Sequence, residues 1–292
     1  MTGASDRSSG DELFALLQKA LPQHLLSRGM HALARSRQPA VRNLVLRTVL
    51  RTYPQIDMHE ALQPDPFTYE SFNAFFTREL RPGARPIATD AHALVSPVDG
   101  TVSQFGCMTA GALLQAKGMQ YSCAGLLADV PAAARYREGS FACLYLAPYN
   151  YHRIHLPCDA VLRVTRYVPG QLFSVNAATA RTIPDLFARN ERVVCDFDTD
   201  DGPLCLVLVG ALFVGSIETV FAGEINPPPG RGGKVRVIEA GVGRTFRRGE
   251  ELGRFNMGST VIVLTGKAVA FAPRVEPGEP VRLGQMLARF SA

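Results

Sequence analysis

The peptide bond between Gly258 and Ser259 can support chemistry that most peptide bonds cannot. Glycine has no side chain to shield its carbonyl, so the hydroxyl of the next residue can attack that carbonyl and turn the amide into an ester. Removal of the Ser259 α-proton then breaks the chain by β-elimination. Hydrolysis of the resulting dehydroalanine leaves a pyruvoyl group and releases ammonia. The alternative interpretation is that NMGSTVIVL, residues 256–264, is simply the start of a β-strand.

A serine hydroxyl is a poor nucleophile at neutral pH and needs a base, ideally a histidine oriented by a carboxylate. The sequence offers Asp99 in SPVDGTV (96–102), and His152 and His155 in APYNYHRIHLP (147–157). Each has an ordinary alternative, because Asp99-Gly100 is a hairpin-turn signal and the histidines could be a surface pair in a loop. We predict no metal, because this HxxH pattern lacks the glutamate of a zinc-protease motif and a third ligand.

The six cysteines show neither a CxxC pair nor metal-ligand spacing. In a chain of 292 residues that opens without a recognisable signal peptide, reduced core thiols are the expected state. We therefore predict that none of them is a nucleophile or a disulfide partner.

Composition indicates a globular protein with an anionic partner. The chain is 47% hydrophobic and 20% charged, with a net charge of +5. Nucleic acid and a phospholipid surface both fit that charge, but the chain has no RNP, zinc-finger or helix-turn-helix pattern. The longest uncharged apolar stretch, 202–217, is too short for a membrane span, so we expect the chain not to cross a bilayer.

A basic, apolar segment opens the chain. Between Leu13 and Ile56 there are seven basic residues and no acidic one, and apolar residues recur at helical spacing. Pro22, Gly29 and Pro39 should divide this segment into two or three short helices. Two interpretations remain open at this point: helices that lie in a membrane interface, and a helical hairpin packed on the rest of the protein.

The rest of the chain reads as a proline-rich strap followed by β-structure. The strap, residues 63–90, contains a short aromatic helix in YESFNAFFTREL (69–80). Beyond it, short Val/Leu/Ile runs bounded by turn residues predict mainly antiparallel strands, with one helix in TARTIPDLFARN (179–190). We predict an α+β protein with N-terminal amphipathic helices in 1–62 and a mainly antiparallel β catalytic domain in 63–292.

Taken together, the motifs resemble the phosphatidylserine decarboxylases, in the bacterial type that carries its own N-terminal helical segment. The resemblance covers nearly the whole chain, from about Leu13 to Phe290. It rests on FNAFFTRELRPGARPI (72–87), SPVDGTVSQFG (96–106), LQAKGMQYS (114–122), YLAPYNYHRIHLPCDAVL (145–162), YVPGQLFSVN (167–176), LFARNERVVCDFDTDDGP (186–203), VGSIETVFAG (214–223) and GRFNMGSTVIVL (253–264).

The resemblance implies roles for individual residues. The family's cleavage motif, leucine-glycine-serine-threonine, falls on residues 257–260, with Met257 in the leucine position. Leucine to methionine conserves volume, so we expect cleavage to proceed. Asp99 and His155 match the charge-relay pair, Ser259 matches both the cleavage nucleophile and the pyruvoyl precursor, and His152 matches the residue that acts in decarboxylation. Cleavage between Gly258 and Ser259 would leave a β chain of 1–258 and an α chain of 259–292.

The implied activity is that of a carboxy-lyase in phospholipid synthesis. The covalent pyruvoyl group would form a Schiff base with the amine of phosphatidylserine and accept electrons as CO2 leaves. His152 would reprotonate the α-carbon as general acid, and hydrolysis would release phosphatidylethanolamine. The resemblance also implies a zymogen whose own α and β chains stay associated, a homodimer, and a peripheral position on the cytoplasmic side of the cell membrane. The basic segment then becomes the expected docking surface for anionic lipid.

A second class of protein has a weaker claim. Barrel-sandwich carrier or structural modules, which have no catalytic activity, contain glycine turns like those in SPVDGTVSQFG and AVAFAPRVEPGEPVRLGQMLARF (268–290). Such a carrier needs a lysine at the tip of a hairpin, and neither stretch presents one. A conventional serine hydrolase is disfavoured because the chain has no G-x-S-x-G elbow.

Overall fold

The computed structural model describes residues 10, 16–18, 21–115, 118–213, 216–225, 233–256 and 259–290. Helix α1 spans Gln23–Ala34 and helix α2 spans Pro39–Thr52. Both confirm the helices predicted from the spacing of apolar residues. The predicted break at Gly29 is wrong, because α1 continues through it. A single glycine inside a helix costs only about 1 kcal/mol, which contacts elsewhere along the helix can offset.

Helix α1 turns polar side chains toward the protein and leucines toward solvent. Gln23 Oε1 accepts a hydrogen bond from the Leu172 backbone N–H at 2.8 Å, and Ser27 Oγ accepts one from the Phe213 N–H at 3.2 Å. Leu25 and Leu33 are 67% and 41% exposed. This orientation is the reverse of the usual surface helix, which buries its apolar face.

The strap packs the helices onto the rest of the protein. It contains a 3-10 turn at Pro66–Thr68 and helix α3 at Phe72–Phe76, which confirms the predicted aromatic helix in a shorter form. Another 3-10 turn, at Met58–Glu60, precedes the strap. The Ser71 side chain caps α3 by accepting a hydrogen bond from the Ala74 N–H at 3.1 Å. A small hydrophobic cluster joins the strap to α1 and α2 through Ala34, Leu46, Phe72, Phe75 and Phe76. The division at residue 62/63 stays a prediction.

The rest of the described chain is mainly antiparallel β-structure, as predicted. The strands in chain order are β1 Ala93–Val95, β2 Gly100–Cys107, β3 Ala112–Leu114, β4 Gln120–Ser122, β5 Ser140–Leu146, β6 Arg153–His155, β7 Ala160–Val168, β8 Arg192–Thr199, β9 Gly202–Val209, β10 Ile217–Thr219, β11 Gly223–Ile225, β12 Arg236–Ala240, β13 Thr245–Phe246, β14 Glu251–Phe255, β15 Ser259–Thr265, β16 Val269–Phe271, β17 Pro280–Val281 and β18 Met286–Phe290. The main sheet has the order β12-β7-β8-β9-β15-β5-β2-β17, with β13 also paired to β7. Smaller sheets have the orders β11-β10-β14-β6, β1-β18-β16 and β3-β4.

Short helices connect the strands. They are α4 Cys123–Leu127, α5 Val130–Ala133, a 3-10 turn at Ala134–Tyr136, α6 Ala177–Thr182 and α7 Leu186–Arg189. The helix predicted over 179–190 is therefore two helices. Pro184 lies between them, and a proline disfavours helical backbone in the residue before it.

The main sheet places two predicted site residues, Ser259 and Asp99, at one end. Strand β15 is buried along its whole length between β5 and β9, with Ser259 at its first position opposite Leu146. On the other side of β5, strand β2 begins just after Asp99 and sets Thr101 opposite Tyr145. The hairpin suggested by Asp99-Gly100 is wrong, because β1 pairs with β18 and β2 pairs with β5 and β17. Gly100 has a packing role instead: a Cβ there would lie 2.6 Å from the Tyr145 carbonyl oxygen.

Candidate active site

Ser259 is fully buried at the start of β15, with 0% of its surface exposed. Its Oγ has no hydrogen-bond partner in the described part of the chain. A buried hydroxyl without a partner costs about 1–3 kcal/mol and therefore needs an explanation. The two preceding residues, Met257 and Gly258, lie outside the described residues, so only the Ser259 side of the predicted scissile bond is described.

His152 contacts two chain segments beside Ser259, at the end of β5 and at the end of β14. Its Nε2 is 3.1 Å from the Ala147 carbonyl oxygen, one residue beyond the Leu146 that pairs with Ser259. Its own carbonyl accepts a hydrogen bond from the Phe255 N–H at 3.0 Å, four residues before Ser259. The imidazole stacks on Phe76 with ring centroids 4.0 Å apart. The structure thus brings His152 next to the start of β15.

The protonation of His152 follows from these contacts. Complete burial, with a further contribution from the positive charge of Arg78, lowers the pKa of His152 to about 3. The ring is therefore neutral at pH 7. Since Nε2 faces a carbonyl oxygen, it must carry the hydrogen, and Nδ1 holds the lone pair. Nδ1 is buried without a partner among the described residues, as is the Ser259 hydroxyl.

His155 lies in β6 and is held by two hydrogen bonds. Its Nδ1 is 2.9 Å from the Gly249 carbonyl oxygen, so Nδ1 donates, and Nε2 accepts from the Tyr151 hydroxyl at 3.1 Å. Burial lowers the pKa of His155, so the ring is neutral at pH 7 and carries its basic lone pair on Nε2. Its backbone N–H donates to the Pro97 carbonyl at 2.9 Å, which brings it to the segment that holds Asp99.

Asp99 is buried and bound mainly by an arginine. One carboxylate oxygen accepts from Arg85 Nε at 2.9 Å and from the Leu283 N–H at 2.8 Å, and the other accepts from Arg85 Nη2 at 2.6 Å. Arg85 also donates to Glu60 at 2.6 Å. Burial lowers the pKa of Arg85, but its hydrogen bonds to Asp99 and Glu60 outweigh burial and raise that pKa overall. The hydrogen bonds found among the described residues link Asp99 and His155 to other partners, so their direct relay contact stays a prediction.

Several residues of the site escaped the sequence analysis. Phe76, Arg78 and Arg85 all lie in FNAFFTRELRPGARPI, for which the sequence predicted a short aromatic helix and a family resemblance but no site residue. Tyr151 immediately precedes His152 and lies four residues before His155. A buried aromatic helix followed by three arginines was the available signal, but no local pattern indicates which distant groups those arginines contact.

The structure also bears on metal binding, cysteine reactivity and membrane crossing. The described residues contain no group of three or more His, Cys, Asp or Glu arranged to hold a metal. The cysteines are free, and Cys123, Cys143, Cys195 and Cys205 are buried. Burial raises the pKa of Cys143 to about 12, which removes it as a thiolate nucleophile at pH 7. No helix in the described ranges is long and apolar enough to span a bilayer.

Comparison with known proteins finds similarity to phosphatidylserine decarboxylases. The family profile for phosphatidylserine decarboxylase matches residues 72–289, and a second profile, described as PSD, matches residues 13–54. The chain is 51% identical to a phosphatidylserine decarboxylase proenzyme of Alkalilimnicola ehrlichii, over 87% of this chain and 88% of the relative. It is 50% identical to the proenzyme of that name from Shewanella sp. strain MR-4, over 96% of this chain and 97% of the relative. It is 49% identical to the one from Methylibium petroleiphilum, over 95% and 98%.

Proposed function

The chain belongs to the phosphatidylserine decarboxylase family, and from that premise we propose that it cuts itself before Ser259 and uses the resulting pyruvoyl group to decarboxylate phosphatidylserine. One observation carries the assignment to Ser259. Its hydroxyl and Nδ1 of His152 are both buried without a partner in the described structure, at the same end of the main sheet. Two such unsatisfied groups are expensive in a purely structural protein, and this supports their use in a reaction.

The buried environment of Ser259 fits a pyruvoyl group. A pyruvoyl group supplies an electrophilic carbonyl that takes the substrate amine and accepts electron density as CO2 leaves. Around that position the chain excludes water, since Ser259 and His152 are both 0% exposed. Stacking on Phe76 and the hydrogen bond to Ala147 fix the His152 ring, so Nδ1 is the atom that holds and delivers the proton to the substrate α-carbon. The neutral Nδ1 can take that proton from the ammonium group of the substrate, which must lose one before its nitrogen can attack a carbonyl.

His155 is the proposed base for self-cleavage. Its lowered pKa keeps it neutral at pH 7, and its lone pair on Nε2 can take the Ser259 hydroxyl proton once the Tyr151 hydroxyl has moved aside. The negative charge of Asp99 raises the pKa of His155, as one of the smaller influences on it, and would stabilise the protonated ring after the transfer.

Carbonyl labelling tests the assignment of Ser259. After purification, the protein is treated with phenylhydrazine and its fragments are analysed by mass. Wild type should carry the label on the fragment that begins at position 259, and Ser259→Ala should stay a single unlabelled chain. A label elsewhere, or an unlabelled wild type that releases CO2 from phosphatidylserine, would contradict the proposal.

The N-terminal segment is the proposed docking surface for anionic phospholipid, on the cytoplasmic side of the cell membrane. Three leucines of the α1 region, Leu21, Leu25 and Leu33, are exposed, and Arg28 lies exposed on the same helix. Apolar side chains beside a cation suit a membrane interface, where leucines enter the acyl region and basic groups meet phosphates. The Ser27 contact with Phe213, in the loop that follows β9, joins this helix to the end of the sheet that holds Ser259.

Vesicle sedimentation tests this surface. Leu25→Ser with Leu33→Ser should weaken binding to vesicles that contain phosphatidylglycerol. The matched control, Val130→Ser with Val242→Ser, also removes two exposed apolar residues, 72% and 63% exposed, but from the β-rich part. Equal binding by both double variants would overturn the assignment. The homodimer stays a prediction, which sedimentation velocity can test.

A further inference from the structure

A cleft of about 640 Å³ lies between the N-terminal helices, the strap and the β10-β14 strands. Its lining includes five arginines and four glutamates, which leaves one positive charge in excess. The arginines are Arg35, Arg37, Arg78, Arg153 and Arg254, and the glutamates are Glu70, Glu79, Glu218 and Glu224. The cleft also contains Asn73, whose amide donates to Asn256 Oδ1 at 3.2 Å, three residues before Ser259. The cleft therefore lies beside the active site.

Four of these five arginines have carboxylate partners. Arg35 pairs with Glu224, Arg37 with Glu70, Arg153 with Glu251 and Glu79, and Arg254 with Glu218. No carboxylate among the described residues forms an ion pair with Arg78, and its buried Nε has no hydrogen-bond partner there. Arg78 thus accounts for the excess charge of the cleft.

Arg78 is also almost completely buried, which makes its charge unfavourable without a bound anion. It is only 5% exposed, and burial lowers its pKa. Its guanidinium lies over the Phe75 ring, 5.4 Å from the centroid, which offsets part of the lost hydration. The nearby carboxylates of Asp99 and Glu60 are already bound to Arg85. A buried cation without a bound anion is strongly unfavourable, so its retention indicates a ligand.

We infer that Arg78 binds the phosphodiester of the phospholipid headgroup and thereby positions the substrate against His152. Phe76, two residues before Arg78, stacks on the His152 ring with centroids 4.0 Å apart, which places Arg78 on the segment that packs against His152. The charge of Arg78 also contributes to the lowered pKa of His152. In a serine headgroup the phosphorus is three bonds from the α-carbon, which is the atom that His152 must reach. A guanidinium presents a planar set of donors that matches phosphate oxygens.

The substrate carboxylate is the other anion that Arg78 could take, and the chemistry argues against it. Decarboxylation removes the charge of the carboxylate, so an ion pair with it would stabilise the ground state and slow the reaction. The phosphodiester keeps its charge from substrate to product. Binding it therefore holds the substrate in place without opposing the loss of CO2.

The test uses the wild-type, Arg78→Met, Arg78→Lys and Arg254→Met proteins in mixed micelles. This inference rests on the proposed function, so each protein is first checked for self-cleavage by mass and the wild type for CO2 release. Arg78→Met should cleave normally and raise KM for phosphatidylserine by about 10- to 100-fold, the usual loss for a hydrogen-bonded charge. Arg78→Lys should lie between Arg78→Met and wild type. Arg254→Met, which removes a paired arginine from the same cleft, should change KM less than about threefold.

Two further measurements distinguish binding of the phosphodiester from the alternatives. Dihexanoylphosphatidylglycerol has a phosphodiester but neither amine nor carboxylate, and its inhibition constant should rise in Arg78→Met by the same factor as KM. The melting temperature of Arg78→Met should equal or exceed that of wild type, because an unpaired buried charge has been removed. An unchanged inhibition constant would indicate that Arg78 binds the substrate carboxylate. A lower melting temperature with an unchanged KM would indicate that Arg78 has a structural role. Either result would overturn the inference. A wild type that does not release CO2 would instead overturn the proposed function.

Discussion

Replacing His152 by phenylalanine tests the buried, neutral state of this residue. Phenylalanine has a similar ring that can keep the stack on Phe76, whose centroid lies 4.0 Å from that of the imidazole. In wild type the folded protein holds His152 with a pKa of about 3, whereas the unfolded chain takes up a proton below its ordinary value of 6.5. The unfolded state therefore binds more protons between pH 6.5 and 3, and wild-type stability falls as the pH is lowered through that window.

The magnitude follows from the shift. At pH 5 the unfolded histidine is protonated and the folded one is not, which costs wild type about 2 kcal/mol of stability relative to pH 8. His152→Phe has no such proton to take up. It also leaves the Ala147 carbonyl without its donor, but that loss is the same at both pH values. The difference in melting temperature between variant and wild type should therefore move by about 4–8 °C in favour of the variant between pH 8 and pH 5.

The assay is a thermal melt of both proteins at pH 5 and pH 8, together with fragment mass and CO2 release at pH 7. The variant should still self-cleave, while CO2 release should fall by about 100-fold or more, as expected when a general acid is removed. A melting-temperature difference that does not change with pH would refute the buried neutral imidazole. Full decarboxylase activity would remove His152 from the reaction.

Three other variants test neighbouring parts of the account. His155→Ala should remain a single chain in denaturing electrophoresis, because Ser259 loses its base, and efficient cleavage would remove His155 from that role. Tyr151→Phe should cleave at least as fast as wild type in a time course, since its hydroxyl now competes for the lone pair on His155 Nε2; slower cleavage would show that the hydroxyl assists. Glu191 is 4% exposed, and burial raises its pKa to about 7, so the folded state keeps a proton that the unfolded chain loses above pH 4.5. Wild type should therefore lose up to about 3 kcal/mol of stability between pH 4.5 and pH 8.5. Glu191→Gln should melt at a higher temperature than wild type at pH 8.5 but not at pH 4.5. An equal difference in melting temperature at both pH values would contradict the raised pKa of Glu191.

Local patterns predicted the elements of this fold well. The spacing of leucines and arginines indicated the N-terminal helices, and alternating Val/Leu/Ile runs indicated antiparallel strands. The failures came from tertiary contacts. Helix α1 continues through Gly29, and Asp99-Gly100 begins a strand whose neighbours, β5 and β17, are distant in sequence.

The candidate site shows the same limit. Motif resemblance predicted Asp99, His152, His155 and Ser259 as site residues, but it gave no hydrogen-bond partners for them. The Gly249 carbonyl that orients His155 is 94 residues away in sequence. Arg85, which binds Asp99, and Arg78, which has no carboxylate partner among the described residues, look alike in the sequence. Their difference depends on which carboxylates the fold brings within reach, and that is a property of three-dimensional packing.

The intact mass of the purified protein under denaturing conditions tests the central claim most directly. We expect two fragments, 1–258 and 259–292, with the smaller lighter by one ammonia than a peptide that begins with serine, and a single chain for Ser259→Ala. A single uncut wild-type chain that still turns over phosphatidylserine would contradict self-cleavage as the source of activity.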